Sequence, residues 1–475
     1  MHFPSIPFII GVRRKPDTFE YTQQSLLYSA GFRIMAICNG SSIMKTKKQE
    51  STVSLFSWAL YDWANSAFFA VIQTFVFATY FMQSVAENDT LGSTQWGNTI
   101  GAAGLVIAIC APFVGAVADQ MGRRKPWIGW FTLLAIGATA ALWFVAPSQQ
   151  FVWLALALVF FGTIGSEFAI IFYNAMLPDL ASEERMGRWS GWAWGLGYAG
   201  GLACLVVALF LFVDVEQPPF GLDKAAAEHV RATFVLVAVW YALFSIPMFM
   251  VTSDRPSTGI NLSEAVKSGW GQLKNTVKEV RKYRHIVRFL VARMVFIDAL
   301  ATVFAFGGIY AAGTFNLGER EVLMFGIGLN LTAGLGAATF AWLDDKLGSR
   351  TTMLLSLVGL IACTTAVLLV YEVLFFWVFG LLLGIFVGPV QAASRTYMGH
   401  VSPPDLQNQM FGLMALSGKV TAFMGPLLVG WLTYIADSQR IGMSIIVVLF
   451  VLGFILLFRL PDAEEVKRNR RSSTP

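Results

Sequence analysis

Residues 57–81 have the sequence SWALYDWANSAFFAVIQTFVFATYF. The segment can cross a bilayer as a helix, which takes about 20 mostly apolar residues. It nevertheless carries a carboxylate, Asp62, and an amide, Asn65, on one helix face. A carboxylate in hydrocarbon costs about 2.5–3.5 kcal/mol on insertion scales, so it normally faces a protein interior or a wet cavity. The segment therefore predicts a spanning helix that lines a cavity. The alternative is that Asp62 caps the helix near the membrane surface.

The composition of the whole chain is typical of a membrane protein. Of its 475 residues, 56% are hydrophobic and 13% are charged, whereas soluble domains contain about 25% charged residues. The net charge of +5 lies in short loops between apolar segments. Membrane orientation and anionic lipid explain this charge better than nucleic-acid binding does. The cysteines and histidines show no metal-ligand spacing, so we expect neither a metal site nor a cofactor.

Twelve apolar segments follow one another along the chain, and the loops between them alternate in charge. One set of loops is rich in Lys and Arg, whereas the other is mainly acidic. By the positive-inside rule, the basic loops and both termini are expected in the cytoplasm. The sequence thus predicts an all-α membrane protein with twelve transmembrane helices. The segments are 57–83, 98–118, 127–146, 151–172, 189–212, 232–251, 287–314, 322–343, 351–370, 372–394, 410–435 and 441–459.

The longest polar interval, 253–286, divides the twelve segments into two sets of six. Within it, Asn261 followed by Glu264 is typical of a helix start. We expect a basic amphipathic helix there, either on the inner membrane surface or packed on the cytoplasmic face of the protein. The expected organisation is a disordered N-terminal extension at 1–50, a six-helix bundle at 51–252, the linker at 253–286, a second six-helix bundle at 287–460 and a basic cytoplasmic tail at 461–475.

The two sets of six helices also repeat a motif. GAVADQMGRRK at 115–125 ends the second segment, and AWLDDKLGSR at 341–350 ends the eighth. Two related six-helix halves are the architecture of a transporter that rocks around a central site. The corresponding residues are Asp119 and Asp345, Gly122 and Gly348, Arg124 and Arg350 and, more weakly, Asp62 and Asp298.

The loop at 115–124 resembles the loop between helices two and three of the major facilitator superfamily. The segments YDWANSAF at 61–68, FYNAMLPDL at 172–180, QAASRTYM at 391–398 and SGK at 417–419 more narrowly resemble the vacuole-effluxer, autophagy-related branch of that superfamily. The resemblance implies the major facilitator fold and permease activity, and its fungal members are associated with export of amino acids from the vacuole. Ser349 stands where the repeated loop would have a second basic residue. The gating residues that the resemblance implies are Asp119, Arg123, Arg124, Asp345 and Arg350.

Charged residues inside the segments are candidates for solute recognition. Lys419 lies about nine residues, roughly 13 Å, inside its predicted span, too deep for its ammonium group to reach water easily. It therefore needs a protein acid or a solute carboxylate as its partner. The resemblance implies that three acids, Asp62, Glu167 and Asp298, surround one vestibule. The alternative is that these acids pair with Arg293 and Arg395 and hold the inner gate shut. The candidate substrate-binding residues are Asp62, Asn65, Glu167, Tyr198, Asp298 and Lys419.

The predicted function is secondary active transport of a small polar solute, an amino acid, by alternating access. Acids that face Lys419 suit a zwitterion, and acids in a dry site can carry protons, so proton coupling is left open. No nucleotide-binding or nucleophile motif favours an ATP-driven pump or an enzyme. The alternative is a transporter-like sensor or assembly partner. We expect a monomer in the lipid bilayer, in the plasma membrane if the source is bacterial, with no nucleic-acid partner.

Overall fold

The structure is a computed structural model that describes residues 51–278 and 282–472. The predicted N-terminal extension at 1–50, a short part of the linker and the last three residues lie outside the described residues. Throughout the described ranges the chain forms helices joined by turns, with no β-strand. Twelve helices in these ranges are long and apolar enough to cross a membrane. The predicted all-α fold with twelve spanning helices is therefore confirmed.

In the described residues, two shorter α-helices accompany the twelve spanning ones. The linker helix is Leu262–Lys278, and the tail helix is Ala463–Ser472. The spanning helices are α1 (Thr52–Val85), α2 (Asp89–Met121), α3 (Lys125–Ala141), α4 (Val152–Leu180), α5 (Met186–Ala208), α6 (Glu228–Val251), α7 (Arg284–Phe315), α8 (Glu319–Leu347), α9 (Ser349–Leu369), α10 (Val373–Val401), α11 (Gln407–Lys419, continued by Met424–Ala436) and α12 (Gln439–Phe458).

Helix α1 begins earlier than the apolar pattern predicts. Its N-cap is Ser51, whose side chain accepts a hydrogen bond from the Ser54 N–H at 3.1 Å. Asp62 consequently lies ten residues after Thr52, roughly 15 Å along the helix. The alternative in which Asp62 caps the helix is therefore wrong. The apolar pattern missed the first turn of the helix because that turn contains polar residues.

Helix α11 is interrupted, although its sequence predicted one continuous span. The first piece ends at Lys419, and residues 420–423 form a turn before the second piece begins at Met424. Asp298 of α7 accepts the Gly425 N–H at 3.0 Å and so caps the second piece. A cation at the C-terminal end of the first piece is favoured by the helix dipole. The break in α11 thus sets the position of Lys419 and gives the Asp298 carboxylate a backbone partner.

The two six-helix halves meet in two equivalent crossings. Where α2 crosses the first piece of α11, a Cβ atom on Gly412 would lie 2.4 Å from the Ala111 carbonyl oxygen. Where α8 crosses α5, a Cβ atom on Gly191 would lie 2.5 Å from the Ala337 carbonyl oxygen. Only glycine allows backbones to approach this closely. The repeated helices α2 and α8 therefore pack in the same way against α11 and α5.

The linker helix packs against α2. A Cβ atom on Gly269 would lie 3.0 Å from Val117, and the rings of Trp270 and Phe113 are 5.9 Å apart. The predicted start is confirmed, because the Asn261 side chain accepts the N–H of Glu264 at 2.9 Å. Of the two predicted placements, the structure has the helix on the protein. Its exposed side carries three apolar residues, Leu262, Val266 and Trp270.

Candidate functional site

A cavity of about 730 Å³ lies between the two halves. We call the end of the bundle with the α2–α3 loop and the linker helix the basic end, and the other end the opposite end. The cavity extends from the middle of the bundle towards the opposite end, where Thr74, Gly308 and Leu323 line it. Its walls are mainly apolar. The polar and charged residues of its lining include Asp62, Asn65, Glu167, Asn174, Tyr198, Arg293, Gln391, Arg395 and Lys419.

An ion pair between the halves lies in the deeper part of the cavity. Lys419 Nζ at the break in α11 is 2.6 Å from Glu167 Oε1 near the middle of α4. The Lys419 and Glu167 side chains are 32% and 19% exposed. Arg293 of α7 also interacts electrostatically with Glu167, while its Nη1 donates to the Met414 carbonyl at 2.9 Å. This arrangement offers both a cation and a carboxylate to a solute in the cavity.

A second, drier ion pair joins α1 to α10. Arg395 Nη1 lies 3.1 Å from Asp62 Oδ2, and the Arg395 side chain is 2% exposed. Tyr173 donates its hydroxyl to the same Asp62 oxygen at 3.1 Å. The guanidinium also donates to the carbonyl oxygen of Ser190 at 2.6 Å and stacks over Trp58 at 5.1 Å. Arg395 of the second half is thus held inside the first half, as the alternative of acids paired with arginines predicted.

The remaining candidate residues differ in their position. Asn65 lines the cavity, but its amide donates to the Tyr241 hydroxyl at 2.5 Å. Tyr198 lines the cavity and accepts a hydrogen bond from Gln391 at 3.1 Å. Asp298 is 4% exposed, caps the second piece of α11 and does not line the cavity. The structure thus brings five of the six candidates to the cavity and places Asp298 elsewhere.

Several residues of the cavity were not among the sequence candidates. Asn174, Asn330 and Gln391 place side-chain amides in its lining. A single amide in an apolar span is uncharged, so a search for charged residues inside the spans does not find it. The motifs FYNAMLPDL and QAASRTYM, which carry the family resemblance, contain Asn174 and Gln391. The family resemblance could therefore have pointed to Asn174 and Gln391 as site residues.

The basic end is closed by two carboxylates of the repeated motif. Asp119 Oδ1 accepts the Asn408 N–H at 3.0 Å, and Asp119 Oδ2 accepts the Gln409 N–H at 2.9 Å, both in the first turn of α11. Asp345 accepts the Arg188 N–H at 2.9 Å in the first turn of α5, and the backbone N–H of Gly187 lies beside it. A carboxylate is favoured at a helix N-terminus. Each half thus caps a helix of the other.

Arg124 connects the same region through its side chain. Its guanidinium donates to Asp179 Oδ2 at 2.6 Å, to Asn408 Oδ1 at 3.0 Å and to Gln407 Oε1 at 2.7 Å. Arg255, which precedes the linker helix, binds Asp179 at 2.7 Å. Burial lowers the pKa of the Arg124 guanidinium, while the Asp179 carboxylate acts in the opposite direction. Arg124 therefore joins three elements at the closed end.

The other two predicted gating arginines lie outside this contact. Arg123 is exposed. Arg350, the counterpart of Arg124, donates to the Phe458 carbonyl at 2.6 Å and lies 3.2 Å from Asp462. It remains within the second half, so the two copies of the loop differ in their arginine contacts.

Comparison with known proteins identifies the family. Residues 98–471 match the family described as Vacuole effluxer Atg22 like. The chain is 29% identical over 413 residues to the Bacillus subtilis MFS-type transporter YxiO, covering 86% of this chain and 94% of the relative. It is 23% identical over 305 residues to Autophagy-related protein 22-1 of Penicillium rubens, covering 59% of this chain and 50% of the relative. The match thus spans about half the length of the fungal relatives.

Solved structures show the same fold at low sequence identity. The proton:xylose symporter XylE superposes with a TM-score of 0.66 at 13% identity, covering 88% of this chain and 98% of the symporter. The human organic anion transporter MFSD10 gives a TM-score of 0.65 at 15% identity, covering 87% of this chain and 100% of that protein. The chain belongs to the Atg22-like vacuole effluxer family of the major facilitator superfamily, a superfamily of membrane transporters rather than enzymes.

Proposed function

We propose that the protein is a secondary active transporter that moves a small polar solute, an amino acid, across the membrane by alternating access. The observation that carries this proposal is the Glu167–Lys419 pair, 2.6 Å long, in a cavity between the halves. A volume of about 730 Å³ lies within the range of small-molecule sites, about 300–1,000 Å³. Both halves contribute to the site, as alternating access requires.

The ion pair provides the chemistry for a zwitterion. The ammonium group of an amino acid replaces Lys419 at the Glu167 carboxylate, and its carboxylate takes the freed Lys419. Charge-assisted hydrogen bonds of this kind contribute about 1.5–3 kcal/mol each. Arg395 is less available, because Ser190 and Asp62 hold it in the first half. Binding therefore exchanges the partners of one inter-half link, which changes how strongly the halves hold together.

The basic end is the proposed cytoplasmic gate. We place both termini and the basic end in the cytoplasm by the positive-inside rule. With this orientation, the cavity leads towards the outside, and the contacts of Asp119, Arg124 and Asp345 close the cytoplasmic side. These contacts must break for the solute to pass. The positions of Arg123 and Arg350 do not support the gating roles predicted for them.

Transport can be tested in proteoliposomes that contain the purified protein. Counterflow of radiolabelled amino acids is measured for a panel of side chains, with and without a pH gradient. The proposal predicts saturable counterflow of at least one zwitterionic amino acid, which protein-free vesicles do not show. Accumulation of the solute driven by the pH gradient would establish proton coupling, and absence of accumulation in vesicles that show counterflow would argue against it. Absence of counterflow for the whole panel would contradict amino-acid transport.

A further inference from the structure

A buried acid at the contact between α5 and α8 has no cation partner within the part of the chain that the structure describes. Asp344 of α8 is 5% exposed. Among the described residues, neither of its carboxyl oxygens has a partner with hydrogen-bond geometry, although the hydroxyl groups of Ser349 and Thr396 lie beside it. A Cβ atom on Gly187 of α5 would lie 2.7 Å from Asp344 Oδ2. The carboxyl group is thus packed directly against the backbone of the other half.

The charged groups around Asp344 are occupied elsewhere. Asp345, its neighbour in α8, is the charge that acts on it, and Arg188 of α5 lies 3.2 Å from Asp345. In α10, Arg395 directly precedes Thr396 but binds Ser190 and Asp62. Arg350 of α9 points to α12 and Asp462. An ionised carboxylate in such a site would be both desolvated and beside another carboxylate, so the neutral carboxyl form is favoured.

The first half shows that packing does not require an acid at this position. Asp119 corresponds to Asp345, so the counterpart of Asp344 is Ala118. Ala118 is fully buried in the equivalent contact of α2. The fold accommodates a methyl group there, and the acid is an addition specific to the second half.

We propose that Asp344 is a proton-binding site that makes closure of the basic end depend on pH. While α5 and α8 are packed, the carboxyl group keeps its proton. When the two helices separate at the basic end, water reaches the carboxyl group, the O–H bond breaks and the proton passes to water on that side. The packed state binds the proton more tightly, so a lower pH on that side stabilises closure and a higher pH favours opening.

The distance between the ends of α5 and α8 tests this directly in the full chain. Nitroxide labels are attached to cysteines at the exposed positions Glu184 and Lys346, after replacement of the native cysteines. Double electron–electron resonance in lipid nanodiscs then gives the ratio of separated to packed molecules from about pH 5 to about pH 9. A single proton predicts that this ratio rises by up to about tenfold per pH unit.

Variants of Asp344 separate the proton site from other pH effects. Asp344→Asn and Asp344→Ala are both predicted to remove the pH response and to keep the helices packed, and the alanine reproduces the residue of the first half. Asp405→Asn, a change at an exposed acid of the same end, is predicted to retain the response. A flat wild-type ratio, or an unchanged response in both Asp344 variants, would overturn the inference. The inference rests on the motion of the proposed transport cycle. Positive counterflow together with a flat ratio would overturn the proton site at Asp344 and leave the transport proposal intact.

Discussion

Lys419 Nζ lies 2.6 Å from Glu167 Oε1, and this contact joins the break in α11 to the middle of α4. Both members line the cavity and are partly exposed, whereas Arg395 of the other inter-half ion pair in the cavity, Asp62–Arg395, is only 2% exposed. The contacts at the basic end, by contrast, are made largely by buried groups such as Arg124 and Asn408. In the proposed mechanism, a solute therefore competes for the first link without displacing the second.

The strength of the Glu167–Lys419 pair can be measured by a double-mutant cycle. Glu167→Gln, Lys419→Met and the double variant are expected to give a coupling free energy of about 1–3 kcal/mol in reversible unfolding from mixed micelles, because the pair is partly shielded from water. The control is the Arg350–Asp462 pair, whose aspartate is 58% exposed. It should couple by less than about 1 kcal/mol. Equal coupling in the two cycles would show that the cavity gives no shielding.

Two adjacent arginines should differ greatly in their effect on stability. Arg124→Ala removes the buried partner of two amides of α11, while Asp179 keeps Arg255. A buried polar group left without a partner costs about 1–3 kcal/mol, so we expect a loss of at least that size in the free energy of unfolding. Arg123→Ala changes an exposed residue and should cost less than about 0.5 kcal/mol. Similar losses for the two variants in the same unfolding assay would rule out the buried network as their cause.

A methyl group added at the close crossing of α2 and α11 should force the two helices apart. In Gly115→Ala, the new Cβ atom would lie 2.4 Å from the Asn408 carbonyl oxygen. Overpacking of this kind costs about 1–3 kcal/mol, and separation of the two helices at the basic end relieves it. Spin labels at the exposed positions Arg123 and Asp405 should therefore show a larger separated population.

The matched control is Gly101→Ala in the same helix, where nothing lies within 4 Å of the new methyl group. It should leave the distance distribution unchanged. If both alanine variants shift the distribution equally, helix propensity rather than the crossing would explain the result.

The sequence predicted those features that depend on local pattern. Hydropathy and loop charge are sufficient for the twelve spans, and Asn261 with Glu264 is sufficient for the start of the linker helix. The resemblance also pointed to Asp119, which contacts the N-terminus of α11 in the structure. These features need no knowledge of which helices are neighbours.

The features that were missed depend on tertiary contacts. The break after Lys419 is invisible in the apolar pattern, because the residues of the turn are as apolar as the helix around them. Asp298 moves out of the expected vestibule because it caps the helix after that break. In the sequence, Asp344 is one of two adjacent acids at a helix end, and only the packing of α5 against α8 buries it.

The most direct test of the central claim is amino-acid counterflow by Lys419→Ala in proteoliposomes. If the cation at the break in α11 binds the solute carboxylate, this variant should lose counterflow by about tenfold or more, in line with about 1.5–3 kcal/mol for a charge-assisted bond. Lys346→Ala, a change at an exposed lysine, should retain the wild-type rate. Wild-type counterflow by a folded Lys419→Ala protein would contradict the claim that this ion pair recognises the solute.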